Sequence, residues 1–112
     1  MKEESDTMSE PVKMHVTYRP KPGREEELFA LVKKHWPALR STGLAVDDSI
    51  ELYRATDKRS GQQYFVEIFS WRDAKAPEIA HQMPEIMAIW EPMTPMLDRL
   101  ELAVLEQVSD AG

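Results

Sequence analysis

The chain has 112 residues, a formal net charge of −6 and no cysteine. This length supports one domain with one hydrophobic core. Without cysteine, disulfides, thiolate metal sites and thiol nucleophiles are excluded, and the acidic charge argues against a nucleic-acid partner because phosphate backbones are repelled. No apolar run approaches the roughly 20 residues of a membrane span, and residues 1–10 contain no apolar segment that would act as a secretory signal. We therefore expect a cytoplasmic protein with no membrane partner.

The first two elements are predicted to be a strand and a helix. Residues 1–11 are polar and are expected to form a flexible tail. Val12–Tyr18 alternates apolar and polar side chains, which indicates a strand with one buried face. After a turn, residues 24–40 carry apolar side chains at helical spacing, with acidic residues in the first turn. Pro37 falls inside this pattern and is expected to kink the helix or to end its first part.

The middle of the chain predicts an antiparallel hairpin. Residues 49–55 alternate in character, and the turn at residues 57–61 leads into a second strand at residues 64–71. This second strand is apolar or aromatic on both faces, with Glu67 as its single charge. A strand of this kind must be covered on both faces.

The C-terminal third predicts an interrupted helix and a last strand. Asp73 is a candidate N-cap, and Pro77, Pro84 and Pro92 are expected to divide the helix into short pieces. Residues 99–106 alternate again and predict the fourth strand.

The resulting βαββαβ order predicts one ferredoxin-like α+β domain over residues 12–106, followed by a tail at residues 107–112. Its four-stranded antiparallel sheet is expected to carry both helices on one face. The strand patterns give the sheet one aliphatic face, which we expect beneath the helices: Val12, Met14, Val16, Ile50, Leu52, Val66, Ile68, Leu100, Leu102 and Val104.

The opposite face mixes aromatic and polar side chains: His15, Thr17, Glu51, Tyr53, Phe65, Glu67, Phe69, Trp71, Glu101, Ala103 and Leu105. Its four aromatic side chains would each expose about 150–250 Å², which is more than a monomer usually leaves in one patch. We therefore expect a second subunit to cover this face. Because the face also carries a histidine and carboxylates, the covered space is expected to be a polar-lined cavity.

The chain resembles the antibiotic biosynthesis monooxygenase-like proteins of the dimeric α+β barrel superfamily over about residues 12–106. The resemblance rests on KPGREEELFALV after the first strand, on the strand that ends in W-R-D-A, and on the later segment A-H-x-x-P-E-I-x-x-I-W-E-P-M. It implies a subunit that forms a homodimer through its sheet and has a pocket between sheet and helices. Members of this group include cofactor-independent monooxygenases that oxidise polycyclic phenols to quinones, and haem-degrading enzymes.

Three residues are predicted to act in catalysis. His81 is the candidate proton-transfer group, because an imidazole exchanges protons near neutral pH; as alternatives, it would ligate haem or cap the helix break before Pro84. His15 and Tyr53 are predicted to orient a phenolic substrate, with hydrogen bonding across the dimer as the alternative. In the family, a first-strand asparagine is associated with both activities; this chain has no asparagine, and His15 would take that place.

The substrate pocket is predicted to have aromatic walls. Trp71, Trp90 and Phe69 are the expected walls, with Phe65 and Glu67 as further contacts and ordinary core or interface packing as the alternative. His35 lies in the apolar stripe of the first helix and is expected to be structural. The sequence contains no H-E-x-x-H and no G-x-G-x-x-G, so neither a zinc site nor a dinucleotide site is predicted.

Three functional hypotheses follow. The leading one is a homodimeric, cofactor-independent monooxygenase that acts on an aromatic or polycyclic small molecule. The alternative is a non-catalytic ligand-binding or stress-associated dimer. The third is a haem-binding or haem-degrading protein, for which His81 is the direct support.

Overall fold

The structure is a computed structural model that describes residues 10–46 and 50–108. Its strands are Val12–Pro20 (β1), Glu51–Thr56 (β2), Gln63–Trp71 (β3) and Leu97–Val104 (β4). Its α-helices are Glu25–Ser41 (α1), Ala76–Ala80 (α2) and Pro84–Met93 (α3), and a short 3₁₀ turn, Thr94–Met96, precedes β4. The predicted βαββαβ order is confirmed, with α2 and α3 together forming the second helical segment.

The strands form one antiparallel sheet in the order β2-β3-β1-β4. The predicted hairpin of β2 and β3 is therefore confirmed. Its turn is held by the Asp57 carboxylate, which accepts backbone N–H bonds from Arg59 at 2.8 Å and Ser60 at 2.9 Å. Gly61 closes the turn at φ +76°, a conformation that favours glycine because it has no Cβ. The ferredoxin-like α+β fold expected from the element order is the observed fold.

Helix α1 does not end at Pro37. It continues to Ser41, and buried Val32 and Leu39 flank the exposed proline. An internal proline costs a helix about 3 kcal/mol, but tertiary packing of an apolar stripe supplies most helical stability. The expectation that Pro37 ends the first part of the helix is wrong for this reason.

The second helical segment is divided before Pro84 as predicted, but the expected break at Pro92 is wrong, because this proline lies inside α3. Pro77 and Pro84 occupy the first turns of α2 and α3, where the missing N–H costs no hydrogen bond. The predicted N-cap at Asp73 is wrong, because Lys75 occupies that position. The Asp73 carboxylate instead accepts the Lys75 N–H at 3.0 Å, within the turn that precedes the helix.

The face assignment of β3 is the main correction. Directly paired residues of antiparallel strands share a face, and the register pairs Val16 with Glu67 and His15 with Ile68. The aromatic and acidic side of β3 therefore faces the helices, where its members are buried: Phe65, Glu67, Phe69 and Trp71. Val66 and Ile68, which were expected beneath the helices, lie on the opposite side with His15. We call the two sides the helix face and the outer face.

The physical reason is that a shift of one residue in strand register moves every side chain to the other face. β3 is apolar on both sides, so its own pattern does not select one. The other strands follow their predicted faces, since Leu52 pairs with Glu67 and Leu102 with Val16 on the helix face.

Most of the predicted tails at residues 1–11 and 107–112 lie outside the described residues. Within the described ranges, β1 begins at Val12 and β4 ends at Val104. No helix in these ranges is both long enough and apolar enough to cross a membrane.

Candidate functional site: a cavity between the sheet and α3

A cavity of about 610 Å³ lies between the helix face of the sheet and the second helical segment. Its floor is formed by side chains of β1, β3 and β4: Val12, Met14, Val16, Phe69, Trp71, Leu100, Leu102 and Val104. Its opposite wall comes from α2, α3 and the residue that ends α2: Pro77, His81, Met87, Trp90 and Met93. This volume and this apolar lining suit a small-molecule site, for which about 300–1,000 Å³ is typical.

The cavity is closed on one side and open on the other. Phe69 and Trp71 on β3 are 2% and 5% exposed, whereas Leu100, Leu102 and Val104 on the edge strand β4 are 46%, 62% and 68% exposed. The exposed β4 side chains belong to the cavity lining. A ligand therefore has its access along the β4 edge.

A hydrogen-bonded polar cluster lies at the closed side. The Glu67 carboxylate on β3 accepts a hydrogen bond from the Tyr18 hydroxyl on β1 at 2.7 Å and lies 2.9 Å from His35 Nδ1 on α1. The three side chains are almost fully buried. Burial, and then the charge of Glu67, raise the pKa of Tyr18 well above its ordinary value, so its hydroxyl remains a donor. We call this group the Tyr18–Glu67–His35 cluster.

The hydrogen bonds define which nitrogen of His35 carries the proton. Nδ1 lies within hydrogen-bond distance of both Glu67 oxygens, at 2.9 and 3.1 Å, and an ionised carboxylate only accepts. This network assigns the hydrogen to Nδ1 and leaves Nε2 of a neutral ring as an acceptor. Nε2 is buried and has no hydrogen-bond partner among the residues that the structure describes. His35 also lines the cavity.

Several predicted site residues meet in the cavity. Trp71, Phe69, Trp90 and His81 line it, and Phe69 packs edge-on against Trp71 with ring centroids 5.1 Å apart. Trp90 lies between the two histidines of the site, with its ring centroid 4.8 Å from that of His81 and 5.8 Å from that of His35. His81 is exposed and occupies the C-cap of α2, which agrees with the capping alternative.

Other predicted site residues lie elsewhere. His15 is half-buried on the outer face, beside Ile68 and Ala103. Tyr53, also on the outer face, is 51% exposed and donates a hydrogen bond to Glu51, which raises its pKa. The structure does not bring either residue to the cavity, because alternate side chains of a strand point to opposite sides of the sheet.

Phe65 and Glu67 lie beneath α1 and not at the cavity wall. Phe65 stacks on Phe29 with centroids 4.7 Å apart. Glu67 is connected to the cavity lining by its hydrogen bond to His35. Their predicted role as direct substrate contacts therefore has no geometric support, although Glu67 is part of the polar cluster.

The sequence interpretation missed His35 and Tyr18 as site residues. Two features of the sequence could have identified them. One is a histidine in the apolar stripe of a helix, and the other is a carboxylate in a strand with no solvent-facing side. Buried polar groups require partners, so two such groups in one small domain are candidates for pairing. The correct register of β3 was needed to place them on the same side.

The charge of the cavity lining is acidic. Among the described residues that line it, Asp73 and Glu91 carry a formal charge at neutral pH. The hydrogen bond from Arg72 lowers the pKa of Asp73, so this carboxylate stays ionised. No Arg or Lys side chain lines the cavity among the described residues, so none is in place there to pair with the two propionates of a haem. In the described parts of the chain, no group of three His, Asp or Glu side chains is arranged to hold a metal ion.

Comparison with known proteins shows structural relatives. No protein-family model matches the chain, and no curated protein matches it. The protein PA3566 from Pseudomonas aeruginosa has a TM-score of 0.68 at 19% identity, covering 91% of this chain and 98% of that chain. Rv0793 from Mycobacterium tuberculosis has a TM-score of 0.67 at 19% identity, covering 91% and 99% of the two chains.

A third solved structure carries a functional description. It is an antibiotic biosynthesis monooxygenase, with a TM-score of 0.66 at 16% identity, covering 87% of this chain and 98% of that chain. Identities this low establish the fold and not the activity. The chain therefore has the α+β fold of the antibiotic biosynthesis monooxygenase-like proteins, as its sequence resemblance predicted.

Proposed function

We propose that the protein binds a flat aromatic or polycyclic phenol in the cavity and oxidises it as a cofactor-independent monooxygenase. The observation that carries the proposal is the apolar cavity of about 610 Å³ with aromatic side chains on two walls. Its fold is also that of an antibiotic biosynthesis monooxygenase.

The cavity walls suit a flat ring system. Trp71 and Phe69 form one aromatic wall and Trp90 contributes another. Aromatic pairs add about 0.5–1.5 kcal/mol beyond the burial of their area. The closed, apolar side of the cavity also limits contact with water, which protects a reactive intermediate.

The proposed reaction needs oxygen and no other oxidant. With 1-naphthol as the example, one oxygen atom of O₂ becomes the new carbonyl oxygen of the naphthoquinone, and the other leaves as water with two hydrogens of the substrate. The substrate supplies the electrons. The protein must remove the phenolic proton, because the phenolate is the electron-rich form that reacts with oxygen. Two histidines line the cavity for this task, His81 at its exposed wall and His35 at its buried wall.

The test is oxidation of 1-naphthol and a panel of larger phenols, measured by oxygen uptake and by quinone absorbance. Oxygen gas enriched in the heavy isotope should place one labelled atom in each quinone. Met14→Trp fills the cavity floor and should abolish turnover, while Lys34→Trp on the exposed side of α1 should retain it. Saturable binding without oxygen uptake would instead support the non-catalytic ligand-binding alternative.

Haem binding remains a prediction that hemin titration tests. Because Asp73 and Glu91 are the charged lining residues, we expect weak and non-saturable absorbance changes. A saturable Soret band at one haem per chain, lost in His81→Ala, would contradict this expectation and favour the haem hypothesis.

The proposal includes a homodimer through the outer face. This face presents Tyr53, Val66 and Ile68 next to His15, so a second copy would bury apolar area there. Sedimentation at low micromolar concentration should give twice the single-chain mass of 12.9 kDa. Ile68→Glu should shift the protein toward the single-chain mass, while Lys33→Glu on the exposed side of α1 should not.

A further inference from the structure

The Tyr18–Glu67–His35 cluster contains buried polar groups that ordinary packing does not explain. A carboxylate that is 1% exposed is costly unless it is fully hydrogen-bonded, and Glu67 meets this requirement through the Tyr18 hydroxyl and His35 Nδ1. The same arrangement leaves His35 Nε2 buried without a partner in the described part of the chain. An unsatisfied buried acceptor costs about 1–3 kcal/mol, so a ligand hydroxyl gains most by reaching it.

We infer that His35 Nε2 is the proton acceptor of this site and that it takes the hydroxyl proton of an uncharged phenol bound in the cavity. This inference rests on the proposed function and names the base within it. In the step, the O–H bond of the phenol breaks, its electron pair stays on oxygen, and a new N–H bond forms at Nε2. The products are a phenolate and an imidazolium.

Glu67 and Tyr18 are positioning residues for this step. Glu67 holds the Nδ1 hydrogen and so presents Nε2 as the basic nitrogen. When Nε2 takes a proton, the imidazolium formed is already 2.9 Å from the carboxylate, so the new positive charge is paired at once. Tyr18 donates to the same carboxylate oxygen and helps to keep Glu67 from turning away.

A ligand hydroxyl that approaches His35 Nε2 requires Trp90 to move. Nε2 is covered in this structure, with Phe69 on one side and Trp90 on another, at centroid distances of 5.6 and 5.8 Å from His35. Phe69 is fixed in the core, whereas Trp90 is half-buried on α3. We therefore expect the Trp90 indole to shift when a ligand hydroxyl reaches His35.

The lining charges define the ligand class further. Asp73 is ion-paired with Arg72 at 2.8 Å, so Glu91 is the lining charge that would repel a phenol with a carboxylate or a phosphate, and no Arg or Lys lines the cavity among the described residues. The site therefore suits a neutral, flat compound with one hydroxyl group that can be deprotonated.

The test uses two coumarins that differ in one hydrogen-bond donor. 7-Hydroxycoumarin has an ionisable hydroxyl, and its neutral and anionic forms absorb differently; 7-methoxycoumarin has the same ring and no acidic proton. We expect wild-type protein to bind the hydroxyl compound about tenfold more tightly. We also expect the bound hydroxyl compound to show the absorption of its anion at a pH where the free compound is neutral.

The variants separate His35 from His81. His35→Gln and Glu67→Gln should lose the anion absorption while still binding 7-methoxycoumarin, and the matched control Glu85→Gln, an exposed carboxylate on α3 that is not part of the cavity lining, should keep it. Loss of the anion absorption in His81→Gln together with its retention in His35→Gln would overturn the inference.

The wild-type comparison alone is decisive if the buried variants do not fold. Equal affinity for both coumarins, with the hydroxyl compound bound in its neutral form, would refute proton transfer to His35 and leave aromatic-ligand binding intact. Failure of both coumarins, 1-naphthol and the larger phenols to bind would refute the proposed function itself.

Discussion

The two halves of the helix face differ in how completely they are covered. The half formed by β3 and α1 is closed, and Phe65, Phe69 and Glu67 are at most 2% exposed there. The half formed by β4 and α3 is open, and Leu102 and Val104 are more than half exposed although they point to the same side of the sheet.

The closed half positions the polar cluster, and the open half gives a ligand access to the cavity. The closed half holds the Tyr18–Glu67–His35 cluster, where low exposure fixes hydrogen-bond geometry and strengthens electrostatic interactions. The open half gives a ligand a route to the same cavity. A site of this kind needs both halves, because a fully closed face would admit no ligand and a fully open one would not hold a base in a defined orientation.

The largest expected effect tests whether the two halves differ in packing. Phe69→Ala removes a core side chain that is 2% exposed and should lower the free energy of unfolding by about 3–5 kcal/mol. Leu102→Ala on the open half should change it by less than about 0.5 kcal/mol. Urea denaturation of both variants measures this. Equal losses would show that β4 is covered in solution.

The second test compares two tyrosines that each donate to a glutamate. Tyr18→Phe leaves a buried carboxylate with one donor fewer and should cost about 1–3 kcal/mol of unfolding free energy. Tyr53→Phe removes the exposed bond to Glu51 and should leave the unfolding free energy almost unchanged. The same denaturation experiment measures both. A larger loss in Tyr53→Phe would contradict the assignment of the polar cluster to the closed half.

Alkaline pH should act on the closed half through Tyr18. Its pKa is raised in the folded protein, so above an unfolded value of about 10 the unfolded chain loses this proton first and stability falls as pH rises. Below that pH the contribution is fully present. Urea midpoints measured from about pH 9 to 11 should therefore fall less steeply in Tyr18→Phe than in wild type. Parallel slopes in the two proteins would contradict the burial of this hydroxyl.

The smallest expected effect concerns an exposed carboxylate far from the cluster. Backbone N–H bonds from Ser60 and Arg59 lower the pKa of Asp57, so its contribution is present above the unfolded value and is lost as pH falls through the lowered folded value. Asp57→Asn keeps an acceptor for these bonds and should flatten the acid limb of the stability curve slightly. Thermal midpoints below about pH 5 check this; an unchanged acid limb would contradict it.

The elements of this fold were largely predictable from the sequence. Alternation in Val12–Tyr18 and helical spacing in residues 24–40 mark elements that the structure contains, because each pattern is local and each has one buried side. Trp71, Trp90 and Phe69, which were predicted as substrate-pocket walls, line the cavity, and their contact with a substrate stays a prediction. The roles of His81, His15 and Tyr53 remain predictions, although the structure brings only His81 among them to the cavity.

Local sequence patterns were sufficient for the element order and for the ferredoxin-like α+β fold. The tertiary structure alone decided which face of β3 turns toward the helices, because both of its faces are apolar and its register depends on pairing with β1. That register placed Glu67 beneath His35 rather than beside His15. The pairing joins residues 32 positions apart in the chain, and no local pattern records a contact over such a separation. The candidate base of the site therefore became visible only in three dimensions.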